Sequence, residues 1–308
     1  MLQHKGLSKV QIENYHRDGY LMIEQALTPE QLSSLQNITH DFIDQSRDVT
    51  QNNDTFDLDE RHSASNPRPN RIKTPHLQHP AYWDVIRSEN ILSLLKPLLG
   101  DNIRLQNSKL NAKAGDGGAA VQWHQDWSFY PHTNDDLLAI GILLSDVGEE
   151  DGPLQVVPGS HQGDALPHNA SGVFCGAVDP SIAKAELDTA VTLTGKAGDM
   201  SIHHVRTLHG SAPNLSEKPR LLLLYECGAA DAWPLAGNLS VYTGLNQAEF
   251  WEQMQANMIC GEQTLRPRLT DVPVLMPLPP PPDATSLFKV QQSGGAVDAF
   301  SKACKKRI

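Results

Sequence analysis

His124-Gln125-Asp126 and, far downstream, His209-Gly210-Ser211 followed by Arg220 are the residues of this chain whose types and order could do chemistry. Two imidazoles and one carboxylate make the donor set of a facial triad, which holds a non-haem Fe(II) on one face and leaves its other positions open. A thiolate set would favour zinc or a cluster instead. On an extended strand, residues i and i+2 share a face, so His124 and Asp126 can grip one ion while Gln125 points away. The third donor has to come from another strand. With 13 histidines in the chain, about one His-x-Asp pair is expected by chance, so the pair alone decides little. The register of the rest carries more weight. Residues 211–219 are turn chemistry and 220–226 read as a buried strand, so an antiparallel return brings Arg220 back beside His209. A planar guanidinium at the mouth of an apolar strand suits a distal carboxylate.

Other residues compete for attention. His203 and His204 lie on a strand and rival His209 as third donor, but neither has Arg220 at the matching distance, and one of any adjacent pair must face away. His161, in Pro158-Gly159-Ser160-His161, reads as a turn residue. Among Trp123, Trp127, Phe129 and Tyr130, pocket lining and core packing are balanced readings, with Trp127 and Phe129 the pocket candidates because they follow the metal pair directly. Lys109 and Lys113 alternate with Asn107 and Asn111 on one strand face, and solvated lysines are the default there.

The elements that must position these groups fall into two halves. The first hundred residues read largely helical. Ser8 with Gln11 signals a capping box and Gly19 a stop, before a short strand at 20–23. Thr28-Pro29-Glu30-Gln31 starts a second helix whose Leu32, Leu35, Ile38 and Phe42 share a face. Residues 48–70 are polar and aperiodic, the pattern of a long loop that serves as a lid or linker. A helix over 88–96 should end near Pro97. Strands are expected at 103–114, 121–127, 137–147, 154–157, 190–194, 200–204 and 220–227, separated by Gly- and Asp-rich turns. That is a mainly β chain with flanking helices around a jelly-roll core. A helix at 247–258 follows. Residues 1–276 read as one domain and 277–308 as a proline-rich C-terminal tail, an extended strap or a flexible end.

Composition sets limits. At 308 residues and 39% hydrophobic, the chain can bury one good core. A net charge of −11 argues against nucleic-acid and anionic-membrane partners, which want a basic face, and leaves a small molecule as the expected partner. Cys175, Cys227, Cys260 and Cys304 are scattered with no Cys-x-x-Cys, as expected of reduced thiols in a cytoplasmic protein. The first residues lack the apolar run of a signal peptide, and no run approaches bilayer-spanning length.

The stretch His124-Gln125-Asp126-Trp127-Ser128-Phe129-Tyr130-Pro131, then Asp151-Gly152-Pro153-Leu154-Gln155-Val156-Val157-Pro158-Gly159-Ser160-His161, closely resembles the phytanoyl-CoA dioxygenase family. So does Gly198-Asp199-Met200-Ser201-Ile202-His203-His204, continuing to Leu208-His209-Gly210-Ser211 and Arg220. The resemblance spans residues 7–233. It implies a double-stranded β-helix, Fe(II) on His124, Asp126 and His209, and 2-oxoglutarate and O2 as co-substrates. By the same resemblance, Arg220 with Ser211 meets the far carboxylate of 2-oxoglutarate, while Lys73 and Asn107 fall where members carry residues around its other end. Many members place Trp in the strand after the metal pair, where this chain has Ile142, so Ile142 is expected in the inner pocket. The implied reaction is hydroxylation of a small metabolite with release of succinate and CO2. A halogenase is disfavoured, because Asp126 fills the position a halide would need. Two alternatives stand beside the dioxygenase: a metal-binding sensor without turnover, and a cupin-type metalloenzyme that ignores oxoglutarate. Arg220 weighs against both.

Overall fold

The computed structural model describes residues 6–235, 247–282 and 287–300. Its first helix, α1 (Lys9–Asp18), opens on the Ser8–Gln11 capping box and stops at Gly19, whose φ of 79° lies in the left-handed region. Strand β1 (Tyr20–Ile23) follows directly. Helix α2 (Pro29–Gln45) repeats the device, with Thr28 and Gln31 capping and Pro29 in its first turn. Next come β2 (Phe56–Leu58), β3 (Pro69–Lys73), α3 (Pro75–Gln78), α4 (Pro80–Ile86) and α5 (Glu89–Leu99). Two expectations change here. The polar stretch 48–70 contains β2 and the start of β3, which extend the edge of the main sheet. And α5 runs through Pro97 into its last turn, where the missing N–H costs only one bond.

The second half builds the barrel. In order it contains β4 (Ile103–Lys113), β5 (Val121–His124), β6 (Leu137–Leu143), β7 (Leu154–Val156), the small hairpin β8 (Asn169–Ala170) and β9 (Val173–Phe174), α6 (Lys184–Leu187), β10 (Val191–Leu193), β11 (Met200–His204), β12 (His209–Ser211) and β13 (Arg220–Ala229). Helix α7 (Gln247–Ala256), β14 (Met258–Cys260) and helix α8 (Leu287–Ser293) close the described chain. The major sheet runs β1-β11-β6-β13-β4-β3-β2, with β14 also paired to β4, and the minor sheet runs β10-β7-β12-β5. All pairings are antiparallel, and both sheets line one cavity. This is the expected double-stranded β-helix.

The major sheet buries both faces, each with its own chemistry. Its outer face packs Leu110, Ile140, Ile142, Ile202, Leu223 and Tyr225 against Leu35, Tyr82, Ile86, Ile91 and Leu95 from the helices. Each fully buried aliphatic side chain there contributes roughly 1.5–3 kcal/mol. Strand alternation then turns Lys109, Asn111, His203, Arg220 and Glu226 to the inner face, into the barrel. The helices thus stabilise a sheet whose other face is polar.

After Pro277 the chain runs without regular structure through Pro282, held where the Phe174 N–H donates to the Pro279 carbonyl at 3.0 Å. Helix α8 then lies against the barrel. The buried Gln291 amide accepts from the Gln122 N–H at 3.1 Å and donates to the Gly176 carbonyl at 3.0 Å. Phe300 stacks on Trp123 with ring centroids 5.7 Å apart. Cys175, Cys227 and Cys260 are free, and Cys304 lies outside the described residues. No described helix is long and apolar enough to cross a membrane.

Candidate active site

His124 ends β5 and His209 opens β12, and the two are direct partners across the minor sheet. Gly210 lets the two strands approach this closely, since a Cβ there would lie 3.1 Å from the Val121 carbonyl and 3.3 Å from the Trp123 Cα. The expected strand over 121–127 stops at His124, and Asp126 starts a short 3-10 turn. The i, i+2 geometry survives because Gln125 between them stays extended, at φ −108° and ψ 127°. The Gln125 side chain faces away, donating to the Arg206 carbonyl at 2.9 Å and accepting from the Leu166 N–H at 2.9 Å. His168, which no sequence signal marked, steadies this step. Its Nε2 accepts from the Gln125 N–H at 2.8 Å while its Nδ1 donates to the Leu166 carbonyl at 2.8 Å.

The three side chains meet with their donor atoms within 4.8 Å of one another. His124 Nε2 stands 3.6 Å, and His209 Nε2 3.8 Å, from Asp126 Oδ1. Each imidazole donates Nδ1–H to a carbonyl two residues back: His124 to Gln122 at 2.8 Å and His209 to Thr207 at 2.9 Å. That fixes the tautomer and leaves the Nε2 lone pairs directed at the gap. Burial, with His124 and His203 beside it, pushes the His209 imidazole well below its usual range and keeps it neutral. Burial works against the Asp126 charge, but His209, His124 and His203 outweigh it, so this carboxyl lies well below the usual carboxylate range. Two imidazole nitrogens and one carboxylate oxygen in a buried gap fit a divalent iron. Of the rival histidines, His204 turns outward, its ring 5.1 Å from His161 and 6.3 Å from Tyr15. His203 turns inward, its Nε2 3.4 Å from Asp126 Oδ2. His161 sits in a 3-10 turn, as its sequence suggested.

Behind the triad lies a cationic floor. Arg220 and Lys113 are cross-strand partners on β13 and β4, both almost fully buried. Like charges directly opposite destabilise a sheet. Among the described residues neither has a carboxylate partner within ion-pair distance. Arg220 donates to the Gly152 carbonyl at 2.9 Å and keeps a buried Nε without a partner. Lys113 Nζ donates to Ser211 Oγ at 2.8 Å and to the Ala212 carbonyl. Burial and the neighbouring Arg220 hold the Lys113 ammonium well below its usual range. Burial brings Arg220 down to about 10, with Asp151 opposing in part. Two buried cations, one hydroxyl and an orphaned donor make a receptor for a carboxylate. The default reading of Lys113 as solvated is therefore overturned.

In the same cavity Lys109 pairs with Glu226 at 2.5 Å, whereas Arg71 has no carboxylate at ion-pair distance among the described residues. Arg71 donates Nε–H to Asn111 Oδ1 at 3.2 Å, leaves a buried Nη2 unpartnered and lies 5.6 Å over the Phe288 ring. Burial lowers its pKa, opposed by Asp57 and Glu226. The cavity is lined by the triad, Arg71, Lys109, Asn111, His203, Arg220 and Glu226, and by Leu287 of α8.

Several expected pocket residues lie elsewhere. Lys73 sits on the inner face of β3, but its Nζ is held 3.0 Å from Asp57 and donates to the Asn53 carbonyl, away from the cavity. Asn107 Oδ1 accepts from the Ser108 N–H at 2.8 Å and does not line the cavity. Trp127 is fully buried among Leu137, Val205 and Ala232, its indole donating to the Pro273 carbonyl at 2.9 Å, so it is core. Phe129 braces the His124 ring edge-on at 5.8 Å and packs on Phe174 at 5.0 Å. Ile142 belongs to the outer face, against the helices, because the odd-numbered neighbours Ala139 and Leu143 take the inner one. Ile142→Ala should therefore cost about 2–5 kcal/mol of stability in denaturant unfolding while leaving KM values unchanged. A shifted KM with native stability would return Ile142 to the pocket.

The sequence profile of the phytanoyl-CoA dioxygenase family (PhyH) matches residues 15–222, which include the whole triad and Arg220. The chain belongs to the phytanoyl-CoA dioxygenase family. A probable alpha-ketoglutarate-dependent hypophosphite dioxygenase of Stutzerimonas stutzeri is 37% identical over 289 residues, covering 92% of this chain and 96% of the relative. An ectoine dioxygenase of Bordetella bronchiseptica is 27% identical over 234 residues, covering 70% and 73%. The crystal structure of EctD from S. alaskensis with bound Fe superposes with a TM-score of 0.63 at 22% identity, covering 75% of this chain and 79% of that one, which shows the shared fold. This phytanoyl-CoA dioxygenase family member is an Fe(II)- and 2-oxoglutarate-dependent dioxygenase. The sensor and oxoglutarate-independent alternatives fall away with that assignment.

Proposed function

We propose that His124, Asp126 and His209 hold the iron, that Arg220, Lys113 and Ser211 receive the distal carboxylate of 2-oxoglutarate, and that the substrate is a small oxyanion, hypophosphite in the first instance. The observation that carries the substrate class is Arg71, a half-buried arginine on the inner face whose buried Nη2 is unpartnered, in a cavity that already has Arg220 and Ser211 for the co-substrate. Glu226 balances Lys109 and Asp57 balances Lys73, so a divalent ion with Asp126 and the two charges of oxoglutarate still leave the inner face positive. That excess favours an anionic substrate. The same cavity must hold ion, dicarboxylate and substrate together, which favours a small one. The 37% identity to the hypophosphite enzyme points the same way.

Iron, when bound, supplies the oxygen chemistry, in which O2 is divided between succinate and the substrate. The overall balance is a P–H bond converted to P–OH by one oxygen atom, while oxoglutarate takes the other and loses CO2. The protein's part is orientation. Arg220 and Lys113 fix one end of the dicarboxylate, the carbonyls of Gln122 and Thr207 keep the imidazoles in register, and Arg71 with Asn111 presents donors to the anion. Succinate formation measured with hypophosphite, L-proline and ectoine tests the reading. Hypophosphite should stimulate it at least about tenfold, and Arg71→Ala should raise the hypophosphite KM about 10–100-fold through loss of a charge-assisted contact, with the oxoglutarate KM unchanged. Stimulation by proline or ectoine without any from hypophosphite would overturn the substrate class.

A further inference from the structure

We infer that helix α8 is the substrate-facing wall of this active site, and that Leu287 and Phe288 set the size limit of what it accepts. The family profile ends at residue 222, so α8 lies outside the part of the chain that builds the iron and carboxylate sites. It nevertheless reaches into the site. Leu287 lines the same cavity as His124, Asp126 and His209. Phe288 lines a second, small cavity with Asn70, Asn111, Lys113 and Arg220, and also borders the large open groove outside. Its ring therefore stands between the outer groove and the cationic floor. The same ring packs under Arg71, the guanidinium assigned above to the substrate, at 5.6 Å.

The wall is held in place by its far side. Gln291, one turn on, spends both ends of its buried amide on backbone of the barrel: the Gln122 N–H and the Gly176 carbonyl. Gln122 is two residues from the metal-facing His124, so α8 is anchored to the strand that carries a predicted ligand. Beyond the helix, Asp298 and Phe300 bind Gln122 and Trp123 of that strand. An apolar residue fixed beside a small polar cavity excludes by volume. A bulkier substrate has to displace Leu287.

The inference deepens the small-oxyanion reading, and its test separates the two. Phosphinate anions that keep at least one P–H bond give a graded series in which carbon replaces the second hydrogen of hypophosphite: hypophosphite, methylphosphinate, phenylphosphinate. In the native enzyme kcat/KM should fall by more than about 100-fold from first to last, the scale on which a fixed pocket rejects added carbon. In Leu287→Ala that fall should shrink to under about tenfold, with the hypophosphite KM raised only a few-fold. Phe288→Ala should act likewise and raise the hypophosphite KM further, because Arg71 loses its support. Gln291→Ala, which lines neither of the two cavities, should copy both by undocking the helix, while Gln292→Ala, on the exposed side, should match the native enzyme. Substrate-free conversion of oxoglutarate to succinate gives a readout that needs no phosphinate at all. It should rise at least about fivefold in Leu287→Ala and Phe288→Ala as water gains access. If no phosphinate is turned over but substrate-free succinate rises in these variants, the oxyanion reading fails and the wall stands. Native-like size preference, or native-like substrate-free turnover, in well-folded Leu287→Ala and Phe288→Ala proteins overturns the wall.

Discussion

Anaerobic titration of His209→Ala with Fe(II) should show binding weakened by more than about 100-fold, since even the outer partners of ligands are worth 10–100-fold in metal affinity. The variant keeps His124 and Asp126 but loses the donor that faces them across the minor sheet. Turnover should be lost with the metal. His204→Ala is the matched control, because His204 packs toward His161 and Tyr15. It should bind iron as the native chain does. Iron loss in His204→Ala with retention in His209→Ala would move the site to the other register and remove the basis for the triad.

Arg220→Ala should raise the oxoglutarate KM by roughly one to three orders of magnitude, from a lost charge-assisted contact and a carboxylate left unpaired in a buried site. Iron affinity should stay within about twofold, since Arg220 donates to the co-substrate side and not to the ion. Arg220→Lys should recover only part of the loss, because a point charge does not reproduce a planar fork. Unchanged oxoglutarate dependence in a destabilised Arg220→Ala protein would make Arg220 structural. The carboxylate floor would then reduce to Lys113 and Ser211.

The helix caps were legible because they are local chemistry: Ser8 with Gln11 and Thr28 with Gln31 each satisfy their own backbone within four residues. The triad was legible because donor type and order are written in the chain, and Arg220 because the turn at 211–219 fixes where the next strand begins. Facing was harder. Strand β6 is apolar at every position, so alternation gives no sign of which residues look inward, and Ile142 was assigned to the wrong side. Lys113 shows the converse. The sequence marks its face of β4 as polar, but only the neighbouring Arg220, placed by long-range pairing, shows that the face is buried. Lys73 and Asn107 share that inner side yet are captured by local partners, Asp57 and the Ser108 N–H, which no pattern reveals. Helix α8 is too short, and too closely preceded by prolines, to stand out from a tail.

The cross-strand pair of Arg220 and Lys113 also bears on how long the protein lasts. Two basic groups held together out of water, with no carboxylate partner among the described residues, oppose folding whenever no dicarboxylate is bound. A ligand that binds only the native state adds stability by mass action, about 2.7 kcal/mol at a hundredfold excess over its Kd. For a domain of ordinary stability that changes the unfolded fraction on which proteases act by about two orders of magnitude. Falling oxoglutarate would therefore shorten the protein's lifetime as well as starve its reaction.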